Sequence, residues 1–228
     1  MTMKKPKTSH SDRLLLVLTA LAVGVGAGAM QGCNIVGAGY FLLKGPPTVP
    51  AQFQLPEGKS VVVFVDDRAN RLGRADLRSK IAEAAEQALL NQRRAPDVID
   101  GRAAIIAARG ERFGEPMSMV EIGKAVEADL VIWVGIDEFT LSADGTTFVP
   151  SSSVRVRVID VAEGGRLWPT SEDTRAGHPV SLSMPQQQGT APSTRTEMLM
   201  AQDQLASWTG IGVAQLFFKH EARDSRGR

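Results

Sequence analysis

The sequence predicts an α/β fold: a single mixed sheet with packed helices, in the order β-α-β-α-α-β-β-β-α, after a cleaved signal segment and a tether. Two runs predict the buried strands. Ser60-Val61-Val62-Val63-Phe64-Val65 and Leu130-Val131-Ile132-Trp133-Val134-Gly135-Ile136 are almost wholly apolar and rich in β-branched residues, which suits strands covered on both faces. Helix-period segments separate them, so the two strands should run parallel through right-handed crossovers. Val154-Arg155-Val156-Arg157-Val158 alternates strictly, which predicts an antiparallel strand with one buried and one wet face.

The elements follow in order. Leu77, Ile81, Ala84, Ala85, Ala88 and Leu89 recur at helical spacing, with Arg78, Lys80, Glu83 and Glu86 on the other side. Pro96-Asp97-Val98-Ile99 reads as a short strand, and Asp100 as the cap of a helix that stops at Gly110. Ser118 and Glu121 have capping-box spacing and open a helix whose Met119, Ile122 and Val126 face inward. Ala143-Asp144-Gly145 is the turn region of a hairpin, and Glu163-Gly164-Gly165 is a second turn before a last strand, Arg166-Leu167-Trp168. Residues 170–193, with Pro179, Pro185 and Pro192, read as a long loop. Thr194 and Glu197 cap the final helix, whose buried stripe is Met198, Ala201, Leu205, Trp208, Gly212 and Leu216. Gly210 and Gly212 either permit close approach to the sheet or break that helix. The domain therefore spans residues 60–222, and residues 223–228 form a frayed tail.

Charge narrows the function. The chain of 228 residues carries +1, but its first 32 residues hold Lys4, Lys5, Lys7 and Arg13 against Asp12, leaving −2 from Cys33 onward. A near-neutral body gives no footprint for nucleic acid. One cysteine excludes an intramolecular disulfide.

Residues 1–32 read as a signal peptide, with a basic segment followed by 17 uncharged residues, 14–30. The second half is rich in small residues, which suits processing better than a permanent anchor. Gly24, Gly26 and Gly28 mimic part of a dinucleotide fingerprint but precede no strand–helix unit. Met30-Gln31-Gly32-Cys33 resembles the lipobox of bacterial lipoproteins, with Gln31 departing from its usual small residue. The resemblance implies cleavage between Gly32 and Cys33 and covalent lipid on Cys33, with no other cofactor. Three acyl chains, at about 0.8 kcal/mol per buried CH₂, would make a stable membrane anchor. Asn34 after the cysteine, in place of the aspartate of inner-membrane retention, implies the outer membrane, facing the periplasm.

Residues 33–59 carry Pro46, Pro47, Pro50 and Pro56 and read as a tether. At about 3 Å per residue it could reach roughly 80 Å from the membrane. Tyr40-Phe41-Leu42-Leu43 interrupts it with an apolar patch that suits either the lipid interface or a cover over the domain.

The element order, together with residues 122–135 (a helix ending in Ala128-Asp129, then an apolar strand reaching Gly135), resembles the domain of the curli-secretion lipoprotein (CsgG-like) family. Related domains occur in peptidoglycan-synthase activator lipoproteins and the amino-terminal domain of the Tol translocation protein. The resemblance covers roughly residues 60–220 and implies envelope assembly work without catalytic residues. Residues 140–153 are too short for two membrane-spanning strands of about 9–11 residues each, so no pore is expected.

Several residues are candidates for chemistry. Asp66 and Asp67 with Asp76 could hold a metal for a hydrolase, although adjacent carboxylates at a strand end are usually a solvated turn, as are Asp137 and Glu138. His178 and His220 lack ligand spacing. Arg155 and Arg157, on the wet face, could be read by a partner, with a solvated face as the default. Trp133 and Trp168 are expected in the core. Together these features predict a non-enzymatic, lipid-anchored envelope protein whose domain docks an envelope protein partner. The alternatives are a homo-oligomeric ring without a pore and the metal-dependent hydrolase.

Overall fold

The computed structural model describes residues 47–110, 115–142, 147–171, 174–184 and 191–222. The chain divides into two units, Met1–Pro47 and Thr48–Arg228, and all described residues but Pro47 lie in the second. The signal segment, Cys33, Tyr40-Phe41-Leu42-Leu43, Ala143-Asp144-Gly145 and the tail at 223–228 fall outside the described residues.

The mixed α/β fold is as expected. Its strands are β1 (Thr48–Val49), β2 (Val61–Asp66), β3 (Val98–Ile99), β4 (Leu130–Thr140), β5 (Ser151–Asp160), β6 (Gly165–Trp168), β7 (His178–Ser183) and β8 (His220–Glu221). Its helices are α1 (Asp76–Asn91), α2 (Gly101–Ala107), α3 (Met119–Ala125) and α4 (Arg195–Ala214). The main sheet runs β3-β2-β4-β5-β6, with β2 parallel to β3 and β4 and the rest antiparallel. β7 also pairs with β5, beside residues 151–156, while β6 pairs beside residues 158–160. The two are successive pieces of one interrupted edge strand.

Strand alternation separates two cores. Val61, Val63, Val65, Ile132, Val134, Val154, Val156 and Val158 pack under α1 and α4, against Leu77, Ile81, Ala85 and Val213. Val62, Phe64, Val131 and Ile159 point the other way, under Ala104 and Ile105 of α2 and Ile122 of α3. Thus β2 and the start of β4 are buried on both faces, while β5 is covered on its second face only at the Ile159 end. At the start of β4, the Asp129 carboxylate accepts from the Ser60 amide (2.8 Å) and hydroxyl (2.9 Å).

The helix starts follow from their caps. The Asp100 side chain accepts from Arg102 N, and Ser118–Glu121 and Thr194–Glu197 both close full capping boxes. α4 stays unbroken through Gly210 and Gly212. A buried hydroxyl pair, Ser152 Oγ to Thr209 Oγ1 at 2.7 Å, ties α4 to β5.

Two boundaries differ from the expectation. Residues 48–59, assigned to the tether, already belong to the domain. Thr48–Val49 pairs with β8, the Gln52 amide donates to Leu216 O (2.7 Å), Phe53 stacks on Trp168 at 5.8 Å, and Leu55 is buried. Pro50 and Pro56 fix φ without preventing such edge contacts. The second difference is β7, inside the expected long loop. Its signal is weak because the inward face holds only His178, Val180 and Leu182, none fully buried, and the strand carries Pro179, which an edge strand tolerates.

Candidate functional site

The connections of the sheet define where a site can form. From β2 the chain crosses by α1 on one face to β3, then returns by α2 and α3 on the other face to β4. β2 lies between β3 and β4, so the crossovers diverge at its carboxyl end. Such switch points leave a crevice outside the strand ends. Here it is a small cavity of ≈ 130 Å³, lined by Phe64, Ile105 and Met117 with Asp66, Arg68, Arg78 and Arg109 among the polar groups.

Each polar group is placed by local structure. Arg78, in the first turn of α1, reaches past the strand end, where its Nε donates to Val65 O at 2.9 Å. Its guanidinium comes over the Phe64 ring at 5.7 Å. Burial holds the Arg78 guanidinium below its ordinary range; Asp66 and Asp67 oppose this, and Arg109 and Arg68 add to it. Arg109 follows α2 and is exposed.

Asp66 accepts the Trp133 indole N–H at 3.0 Å and an ion pair from Arg68 at 3.3 Å. Asp67 folds back on its own loop, accepting from the amides of Arg71 (2.7 Å) and Leu72 (3.1 Å). Asp76 pairs instead with Arg74 at 2.6 Å, and Arg74 and Lys80 both bind Asp203 of α4. The three aspartates are therefore engaged in three separate local arrangements. Among the described residues no group of three or more His, Cys, Asp and Glu side chains is placed to hold a metal ion.

Beside the crevice lies the uncovered part of the second sheet face. Trp133 is half-buried there, its ring lying over Gly135, the next residue on that face of β4. Arg157, its register partner on β5, stacks on the ring at 3.8 Å. Its Nε is buried with no hydrogen-bond partner, and burial lowers its tendency to stay charged. Arg157 is thus not free on a solvated face as the alternation implied, because an aromatic opposite an arginine in register folds the guanidinium down. Arg155 is exposed and paired with Asp137 at 2.7 Å. Trp168 lies in the core as expected, tilted against His178 at 4.9 Å, and burial lowers the His178 imidazole below its ordinary value. His220 makes a ring-nitrogen hydrogen bond with Phe218 O at 3.1 Å.

Sequence reasoning placed Asp66 and Asp67 at the strand end but missed the arginines that share the crevice. The clustering of Arg68 and Arg78 around that end was a usable signal. Arg109 had none, since only the crossover through α2 brings it there.

Among solved structures the chain is similar to several bacterial proteins, lipoproteins among them. PelC from Paraburkholderia phytofirmans, solved as a dodecamer, matches 75% of this chain and 96% of its own at 12% identity and a TM-score of 0.40. The hypothetical protein CT253 from Chlamydia trachomatis matches 71% of this chain and 98% of its own, at 18% identity and a TM-score of 0.42. Lipoprotein GNA1162 from Neisseria meningitidis matches 63% and 91%, at 14% identity and a TM-score of 0.35. No family model matches the sequence, and no curated protein does. With TM-scores below 0.5, these likenesses do not bear on function.

Proposed function

We propose that this chain is a non-enzymatic lipoprotein of the bacterial envelope, anchored in the outer membrane through lipid on Cys33 and docking a protein partner with its periplasmic α/β domain. The observation that carries this reading is Met30-Gln31-Gly32-Cys33 at the end of an uncharged run, ahead of a separately folded unit that begins at Thr48. Among the described residues no helix is long and apolar enough to cross a membrane. The separate engagement of Asp66, Asp67 and Asp76 supports a binding role over a hydrolytic one.

Cys33→Ala is expected to abolish incorporation of labelled palmitate and to move the protein from the membrane to the soluble fraction. Unchanged labelling would refute the anchor. Crosslinking in cells from a photoreactive residue at position 155 should then recover one specific envelope protein. Recovery of none across all positions of that face would remove the docking role.

A homo-oligomeric assembly is the second reading. Met198, Leu199 and Met200, at the start of α4, are exposed large apolar side chains, and such clusters mark interaction surfaces. Light scattering on residues 34–228 decides it. A monomer at high concentration excludes the assembly.

A further inference from the structure

We propose that the crevice at the end of β2 binds a carboxylate, an acidic side chain of the docked protein, between Arg68, Arg78 and Arg109. The identity of the bearer rests on the docking reading, whereas the chemistry rests on the crevice alone. Its ≈ 130 Å³ equals the space of about four waters at roughly 30 Å³ each. Small-molecule sites occupy about 300–1,000 Å³, so a cofactor does not fit. One inserted side chain does, in the manner of a buried anchor at an interface.

Charge selects the anion. Arg78 is fixed by its Nε on Val65 O, and its two Nη groups have no partner among the described residues. A guanidinium held this way presents a planar fork that matches a carboxylate. Asp66 is held by Trp133 and Arg68 and Asp67 by two backbone amides, so neither bonds the Arg78 fork, and three arginines against two aspartates leave the lining with a net positive charge. Arg109 donates its backbone amide to Ile106 O, but its guanidinium has no hydrogen-bond partner among the described residues. Ile105 and Met117 wall the site with apolar surface, which strengthens an ionic pair by excluding water. An entering carboxylate would also relieve the repulsion that Arg109 and Arg68 exert on Arg78.

Trp133 supplies the probe, since its indole N–H rests on Asp66 at the crevice edge. The full chain in mild detergent, labelled with ¹⁵N at tryptophan, is titrated with glutarate, and the Trp133 signal is assigned by its loss in Trp133→Phe. A saturable shift is expected with glutarate and none with the neutral isostere glutaramide. Arg109→Gln, which removes an exposed guanidinium that has no partner among the described residues, should weaken glutarate about tenfold. Arg78→Lys, which keeps charge without the fork, should also weaken it, with the fold checked by circular dichroism. Equal shifts with glutaramide, or an unchanged titration in Arg109→Gln, overturn the site. Saturation by inorganic phosphate at lower concentration than glutarate overturns the carboxylate assignment in favour of a phosphoryl group. Failure with glutarate while crosslinking still recovers a partner sinks this inference alone. Glutarate binding without a captured partner supports the site and removes the docking reading instead.

Discussion

Replacing Gly210 with alanine is expected to lower the thermal midpoint by roughly 4–8 °C, a loss of about 2 kcal/mol. Gly210 is where α4 crosses α1 at backbone distance. An added Cβ would run into Ile81 O and lie 2.8 Å from Ala84 Cβ and 2.9 Å from Ala85 N. Two of these three atoms are backbone, so no rotamer can make room and the helices must separate. In an isolated helix the same change would stabilise by about 1 kcal/mol. Propensity and packing therefore predict opposite signs, and a thermal melt distinguishes them. Overpacking wins here because α1 and α4 together cover one whole face of the sheet. Gly210→Val should prevent folding. Gly165→Ala, at the first residue of β6 with nothing within 4 Å of the added atom, serves as the control and should stay within about 0.5 kcal/mol of the parent. A Gly210→Ala chain as stable as the parent would mean that the helices do not pack this closely.

The same crossing shows what could be read in advance. β2 and β4, doubly buried, declared themselves by continuous apolar runs, and α3 and α4 by capping boxes whose reciprocal bonds are present. Those signals are local, with cause and effect within a few residues. Gly210 reads from the sequence as a close approach to the sheet or a break, and the structure makes it a close approach to a different partner. It is a helix, α1, while Gly212 faces Leu182 of β7. The edges were harder. β1 and β8 are two residues each and pair across nearly the whole domain, and β7 is half-exposed and contains a proline. Strands of that kind acquire their conformation from a partner rather than from their own pattern. The crevice was least legible because its arginines come from β2's exit loop, α1 and the end of α2. Treating charged residues as solvent-facing by default misses the stacking of Arg157 on Trp133 and the place of Arg78 at the strand end.

Glu86 is the third charge that this default misplaced, and its expected effect is large. It lies on the helical side assigned to solvent, yet it is 8% exposed, and its Oε1 accepts from the Gly101 amide at 2.8 Å. Gly101 has no room for a side chain, since a Cβ would run into the backbone oxygen of Val63, so carboxyl and amide close the junction of α1 and α2. Burial pushes the Glu86 carboxyl up from 4.5 to about 7, while the Gly101 hydrogen bond works in the opposite direction. The folded value lies above the unfolded one, so the fold favours the neutral acid. The associated stability is full below about pH 4.5 and is lost as pH rises through about 7. At about 1.4 kcal/mol per unit, the loss by pH 8 is of order 3 kcal/mol. Glu86→Gln keeps an oxygen for the Gly101 amide and cannot ionise. It should match the parent at pH 4.5 and exceed it at pH 8 by about 2–3 kcal/mol, or roughly 5–10 °C in thermal midpoint. Melts at both pH values test the sign as well as the size. A Gln variant equally less stable at both would show that the carboxylate itself holds the α1–α2 junction, and that burial does not decide the charge of Glu86.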